Sequence, residues 1–148
     1  MNEEISRENA GRVTDGPFEL SLQLRWSDMD ALGHVNNARI VTLMEEARLR
    51  WSRPDAHTGR FEFGLVVASL QVDYLRPVLY RPEIRIRVGV VRIGTKSFTV
   101  RHSGYMDGQP VFDGTTVMVP LAEDGVSSRA LSKPERGWLE SSLIQART

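Results

Sequence analysis

"DMDALGHVNN", residues 28–37, sets two acids, a histidine, a glycine and two asparagines within ten positions. On its N-terminal side, Phe18, Leu20, Leu22, Leu24 and Trp26 alternate with Glu19, Ser21, Gln23 and Arg25, the period-two pattern of a half-buried strand. On its C-terminal side, Ile40, Leu43, Met44, Ala47 and Trp51 recur at helical spacing, with Arg39, Glu45, Arg48 and Arg50 mostly on other faces. That spacing predicts an amphipathic helix of about four turns, N-capped by Asn36 or Asn37 and ended by Pro54. The polar stretch is therefore a strand-to-helix junction, and the chemistry it holds decides how the chain is read.

Outward from the junction, residues 1–16 read as a loosely tethered or disordered arm and 17–148 as one domain. "RPDAHTGRFEFG" (53–64) is a loop, "LVVASLQVDYL" (65–75) a strand and "RPVLYRP" (76–82) a proline-bounded connection. "EIRIRVGVVRI" (83–93) alternates as a strand. "KSFTVRHSGY" and "QPVFDGTTVMVPL" flank Met106-Asp107-Gly108, a hairpin signal. The tail "SKPERGWLESSLI" allows one short terminal helix. Strand, long helix and four further strands give an α+β two-layer domain, with one helix packed on a five-stranded antiparallel sheet.

Composition narrows the function classes. Of 148 residues, 41% are apolar and 26% charged, as in a soluble globular protein. Lys+Arg and Asp+Glu are 19 each, so no global field favours nucleic acid or an anionic membrane. There is no cysteine, which excludes disulfides, thiolate metal sites and a cysteine nucleophile. The polar N-terminal stretch lacks the apolar core of a signal peptide, and no apolar run approaches the ~20 residues that span a bilayer. A cytoplasmic location is expected.

Three chemistries compete for the junction. A calcium loop would use Asp28, Asp30 and Gly33 at relative positions 1, 3 and 6, but Leu32 stands at position 5 and Arg39 at position 12, where oxygen ligands are required. A transition-metal site from Asp28, Asp30 and His34 lacks a second nearby histidine. Helix initiation alone explains an asparagine cap and a glycine turn but not all the polar residues. An acyl-transfer site uses all of them. The helix start offers N–H groups to an oxyanion, and an ionised carboxylate just upstream can serve as base or nucleophile.

On these residues the chain resembles a family. "RWSDMDALGHVNNARIVTLMEEAR" is similar to the start of hotdog-fold acyl-CoA thioesterases of the 4-hydroxybenzoyl-CoA type, and "GTKSFTVRHS" resembles their junction of third and fourth strands. The resemblance spans roughly residues 18–121 and implies a hotdog fold with a long central helix on the sheet. It implies that Asp30 is the catalytic carboxylate, by direct attack or by activating water. Gly33 then permits the turn, and the Asn37 N–H polarises the thioester carbonyl, with Asn36 beside it. Lys96 falls where the family places a basic residue for the CoA phosphates. Gly94 and Thr95 before it thin that cluster, and Arg92 or Arg76 compensates; Ser97 stands next to the ligand. "GHVNN" also resembles acyl-ACP thioesterases. Asp30 and His34 match that pattern, whereas Leu32 stands where the family has an asparagine. His34 then orients substrate or water, or else is a surface histidine capping the helix.

The resemblance further implies a homodimer, often paired into a homotetramer, acting on acyl-CoA or acyl-ACP with no metal or organic cofactor. Arg85, Arg87, Arg92 and Lys96 would supply the basic patch that an acyl-ACP requires. Two other classes fit the same fold: an acyl-thioester sensor that does not turn over, and a hydratase. The first usually carries a DNA-binding module and the second a hydratase loop, and neither is found. Among other polar residues, Asp28 reads as holding the turn, Glu45 and Glu46 as a solvated or interface face, His102 as packed or at an interface, and His57 as a loop residue.

Overall fold

The computed structural model describes residues 17–52 and 61–144. The expected arm and His57 lie outside the described residues. The elements are β1 (Phe18–Gln23), α1 (Asn37–Ser52), β2 (Leu65–Tyr74), β3 (Glu83–Ile93), β4 (Phe98–Met106), β5 (Gln109–Pro120) and α2 (Lys133–Ser141). The five strands form one sheet in the order β1-β3-β4-β5-β2, every neighbouring pair antiparallel. Asp107 and Gly108, at φ +52° and +74°, close the β4–β5 hairpin in the left-handed conformation that a type I′ turn needs. Among the described residues no helix is long and apolar enough to cross a membrane.

Helix α1 lies on one face of this sheet. Its Ile40, Leu43, Met44 and Ala47 are buried against Ile84, Ile86, Val88 and Val90 of β3, Phe98 and Val100 of β4, and Phe112 of β5. At 16 residues it has the four turns that the spacing predicts, which is an ordinary rather than a long helix. Helix α2, begun by a reciprocal Ser132–Glu135 capping box, closes one end of the core, where Trp138 packs on Trp51 with ring centroids 4.6 Å apart.

Two expectations are corrected here. The alternation of the first strand extends through Trp26, yet pairing ends at Gln23, and Trp26 is 76% exposed. The Asp28 carboxylate accepts the Arg25 N–H at 2.8 Å and winds residues 26–28 into a single 3-10 turn, so the pleat stops before Trp26 can point inward. The second correction is Arg48, expected on an outer face. It stands one turn beyond Met44, and the helix buries it to 6% exposure.

Candidate active site

Three chain segments meet at the junction. Residues 29 and 35 bridge antiparallel, and so do His34 and Leu79. The Val35 N–H donates to the Val78 carbonyl at 2.7 Å. The connection after β2 thus runs alongside the polar stretch and holds it against the sheet. Gly33 turns the stretch back at φ +79°, with nothing within 4 Å of where a Cβ would stand, so backbone conformation alone demands glycine.

The two acids occupy different environments. Asp28 is buried and takes the Arg25 N–H at 2.8 Å, the Arg25 guanidinium at 3.2 Å and Arg39 Nε at 3.8 Å. Burial alone would raise its pKa, but the Arg25 hydrogen bonds and the two guanidinium charges outweigh that and hold it below the ordinary value. Its acceptor capacity is committed to the turn. Asp30 is half-buried, and its Oδ1 accepts the N–H groups of Leu32 at 2.9 Å and His34 at 3.1 Å. Its own N–H donates to the His34 carbonyl at 2.7 Å. Oδ2 has no protein partner among the described residues. A carboxylate pinned by one oxygen and open at the other is suited to act as base or nucleophile.

The start of α1 follows directly. Asn36 is the cap: its Oδ1 accepts the Ala38 N–H at 2.8 Å, and its carbonyl accepts Arg39 and Ile40 N–H groups at 2.8 and 3.3 Å. That leaves the Asn37 N–H without a protein acceptor among the described residues, pointing along the positive end of the helix dipole. The Tyr74 hydroxyl donates to the Asn37 carbonyl at 2.9 Å and fixes this first turn against β2. Sequence reasoning missed Tyr74. The two residues are 37 apart, and only the docking of α1 on the sheet brings them together.

The remaining candidates are dispersed. Arg76 lies on the connection that passes the junction, its guanidinium donating to the Pro110 carbonyl at 2.9 Å. Arg92, Lys96 and Ser97 sit at or just beyond the end of β3, which begins beside the junction where Glu83 pairs with Gln23. They are therefore about ten residues, roughly 30 Å, along the strand from Asp30 within one chain. Arg85 and Arg87 face outward but are engaged by Glu19 at 3.0 and 3.3 Å. Glu46 pairs with Arg50 on the outer side of α1 at 2.7 Å. Among the described residues no group of three or more His, Cys, Asp or Glu could hold a metal ion.

Beneath α1 lies a second polar group. His102 of β4 is fully buried, and neither ring nitrogen has a hydrogen-bond partner among the described residues. Burial, followed by the Arg48 charge, pushes its pKa down to about 3, with the nearby Gly114 backbone and Asp113 charge acting weakly against. Arg48 Nη1 reaches Thr116 Oγ1 of β5 at 3.5 Å, its one polar contact among the described residues. Burial lowers the pKa of Arg48 as well, against the charge of Glu45.

Comparison with known proteins places this geometry in a family. The sequence matches the thioesterase-like superfamily over residues 24–134. A Bacillus subtilis (strain 168) protein, uncharacterized protein YsmA, is 33% identical over 121 residues, covering 80% of this chain and 81% of that one. A thioesterase from Thermus thermophilus, whose crystal structure holds coenzyme A and Zn, is 31% identical, with a TM-score of 0.77 over 86% of this chain and 95% of that chain. A thioesterase-superfamily structure from Jannaschia sp. CCS1 superposes with a TM-score of 0.79 at 23% identity, covering 88% of this chain and 95% of that chain, a likeness of fold. The five-stranded antiparallel sheet carrying a helix is accordingly the hotdog-like thioesterase fold. Because the matched stretch takes in the whole junction, all of α1 and strands β2 to β5, the chain belongs to the thioesterase-like superfamily.

Proposed function

We propose that the protein is an acyl-CoA thioesterase in which Asp30 is the catalytic carboxylate. The observation that carries this reading is the pairing of an anchored carboxylate, open at Oδ2, with the unpartnered Asn37 N–H at a capped helix start. With the thioester carbonyl oxygen at that N–H, negative charge developing on it is stabilised by the amide and by the helix dipole. Asp30 Oδ2 then has two routes. As nucleophile it attacks the carbonyl carbon, the C–S bond breaks, the CoA thiolate leaves and takes a proton, and water hydrolyses the mixed anhydride. As base it removes the proton of a water that attacks the same carbon, and that proton passes to the departing thiolate. Both routes give a carboxylic acid and CoA.

The coenzyme A in the Thermus thermophilus relative supports CoA as the carrier. Strand β2 is a sheet edge of 10 residues with Val66, Val67 and Leu70 exposed, which supports a homodimer joined along that edge. A partner would bring its own Arg92, Lys96 and Ser97 to the CoA phosphates at this protomer's junction, and His34, exposed in part, would orient substrate or water.

The test is free thiol released from a panel of acyl-CoAs by the wild type and by Asp30→Asn. The variant should lose ~10²–10⁴ in rate if Asp30 is a base, and more if it is the nucleophile. Near-full turnover in Asp30→Asn would overturn the assignment.

A further inference from the structure

The group beneath α1 has too few partners for its burial. Arg48 carries five N–H donors and meets one hydroxyl at the limit of hydrogen bonding. His102 is fully buried with neither ring nitrogen in a well-formed hydrogen bond among the described residues, the Gly114 backbone being the polar group that acts on it from β5. Glu45 lends Arg48 its charge without a hydrogen bond, and buried donors left unpaired are costly, so the arrangement calls for an acceptor. An anion with two acceptor oxygens answers both side chains, because it neutralises the guanidinium and takes the imidazole N–H.

A row of apolar residues runs from the site already described to the strand position opposite Thr116. Leu70, Val72 and Tyr74 alternate along β2 onto the inner face of the sheet, directly opposite Thr116, Gly114 and Phe112 of β5. Tyr74 touches the Asn37 carbonyl at the start of α1, and Thr116 touches Arg48. The stripe therefore begins at the thioester site and ends at the buried cation. Leu70 and Tyr74 are 39% and 47% exposed in the single protomer, with Val72 between them partly buried against the core, so the apolar stripe runs beside the edge at which a partner would join. Its four-residue span is about 14 Å at ~3.4 Å per residue. The helix gives a similar measure. Arg48 is eleven residues beyond Asn37, ~16 Å of rise, and its side chain leans back toward the N-terminus.

We propose that Arg48, His102 and Thr116 form the receptor for a carboxylate at the far end of the acyl group, so that the preferred substrates are half-thioesters of dicarboxylic acids. The proposal rests on the thioesterase reading and names its substrate class. The thioester carbonyl lies at Asn37, the methylene chain on Leu70, Val72 and Tyr74, and the distal carboxylate against Arg48 and His102. An extended acyl chain advances ~1.25 Å per C–C bond, so six to eight carbons cover about 6–9 Å, and the hydrogen bonds at Asn37 and at Arg48, ~3 Å each, close the rest of the track.

The experiment compares adipyl- and suberyl-CoA with hexanoyl- and octanoyl-CoA, chains of equal length with and without the terminal carboxylate, on the wild-type protein. The carboxylated pair should be favoured by ~10²-fold in kcat/KM, because a site built around buried polar groups rejects a ligand that leaves them unpaired. Arg48→Gln should bring the ratio between the two pairs to about one, each variant being its own reference; Thr116→Val, a gentler change, should lower the ratio in the same direction. Independently of turnover, free adipate should shift the His102 ring 15N resonances and hexanoate should not. Equal or reversed preference in the wild type, a preference that survives Arg48→Gln, or no shift with adipate each overturns the receptor. If plain acyl-CoAs are hydrolysed in an Asp30-dependent way without that preference, the receptor falls and the thioesterase stands. If adipate shifts His102 but no acyl-CoA is hydrolysed, the anion site stands and the thioesterase reading falls.

Discussion

Replacing Asp28 by asparagine should weaken the fold and leave the chemistry in place. In the native protein this buried carboxylate takes a backbone N–H at 2.8 Å and two guanidinium groups at 3.2 and 3.8 Å. Asparagine keeps the shape but loses the charge, and turns a donor toward donors. The loss of a charge-assisted hydrogen bond is worth about 1.5–3 kcal/mol. The arginines are 63% and 43% exposed, so each ion pair adds only ~0–1 kcal/mol. We expect Asp28→Asn to be less stable by about 2 kcal/mol at pH 7, a fall in Tm of ~4–8 °C for a chain of this size. The pH dependence has a definite sign. The folded-state pKa of Asp28 is depressed, so its contribution is present above the unfolded carboxylate range and is lost as pH falls through the folded value. Urea unfolding of both proteins at matched concentration, from pH 7 downward, should show the two stabilities converging in acid. A variant within ~0.5 kcal/mol of wild type at pH 7, or a gap that widens in acid, would refute the structural role. So would a loss of thioester turnover as deep as that of Asp30→Asn, measured where both variants are folded.

Tyr74→Phe removes one exposed hydroxyl, so stability should change by no more than ~1 kcal/mol, while turnover falls several-fold because the first turn of α1 is no longer fixed; steady-state kinetics beside thermal melts would separate the two. Gly33→Ala should cost ~1–2 kcal/mol from the φ of +79° alone, since no atom opposes the added methyl, and should lower kcat more than it raises KM. Ser132→Ala breaks the capping box of α2 and should cost ~1 kcal/mol in chemical denaturation without changing turnover, because α2 lies away from Asp30.

Much of the fold was legible because its elements are periodic. Ile84, Ile86, Val88 and Val90 alternate in sequence and all lie buried on one face of β3, and Asp107-Gly108 closes the hairpin its chemistry demands. Where local interactions competed with period, the sequence misled. The alternation through Trp26 is real, but Asp28 bends the chain before that residue can pair. Arg48 shows the reverse failure. Its spacing from Met44 put it on the inner face, and its charge suggested water. Position on the helix decided the outcome, since α1 cannot turn Met44 inward without carrying Arg48 with it.

By itself the sequence determined the strand-to-helix junction, the glycine that turns it, and the carboxylate and capping asparagine within ten residues of one another. Those contacts are local, and residue type and spacing suffice to make them. Only the tertiary structure decided that Tyr74 holds the helix start and that Arg48 meets Thr116 beside His102. These contacts join residues 37 and 68 positions apart, and packing of one helix on one sheet creates them.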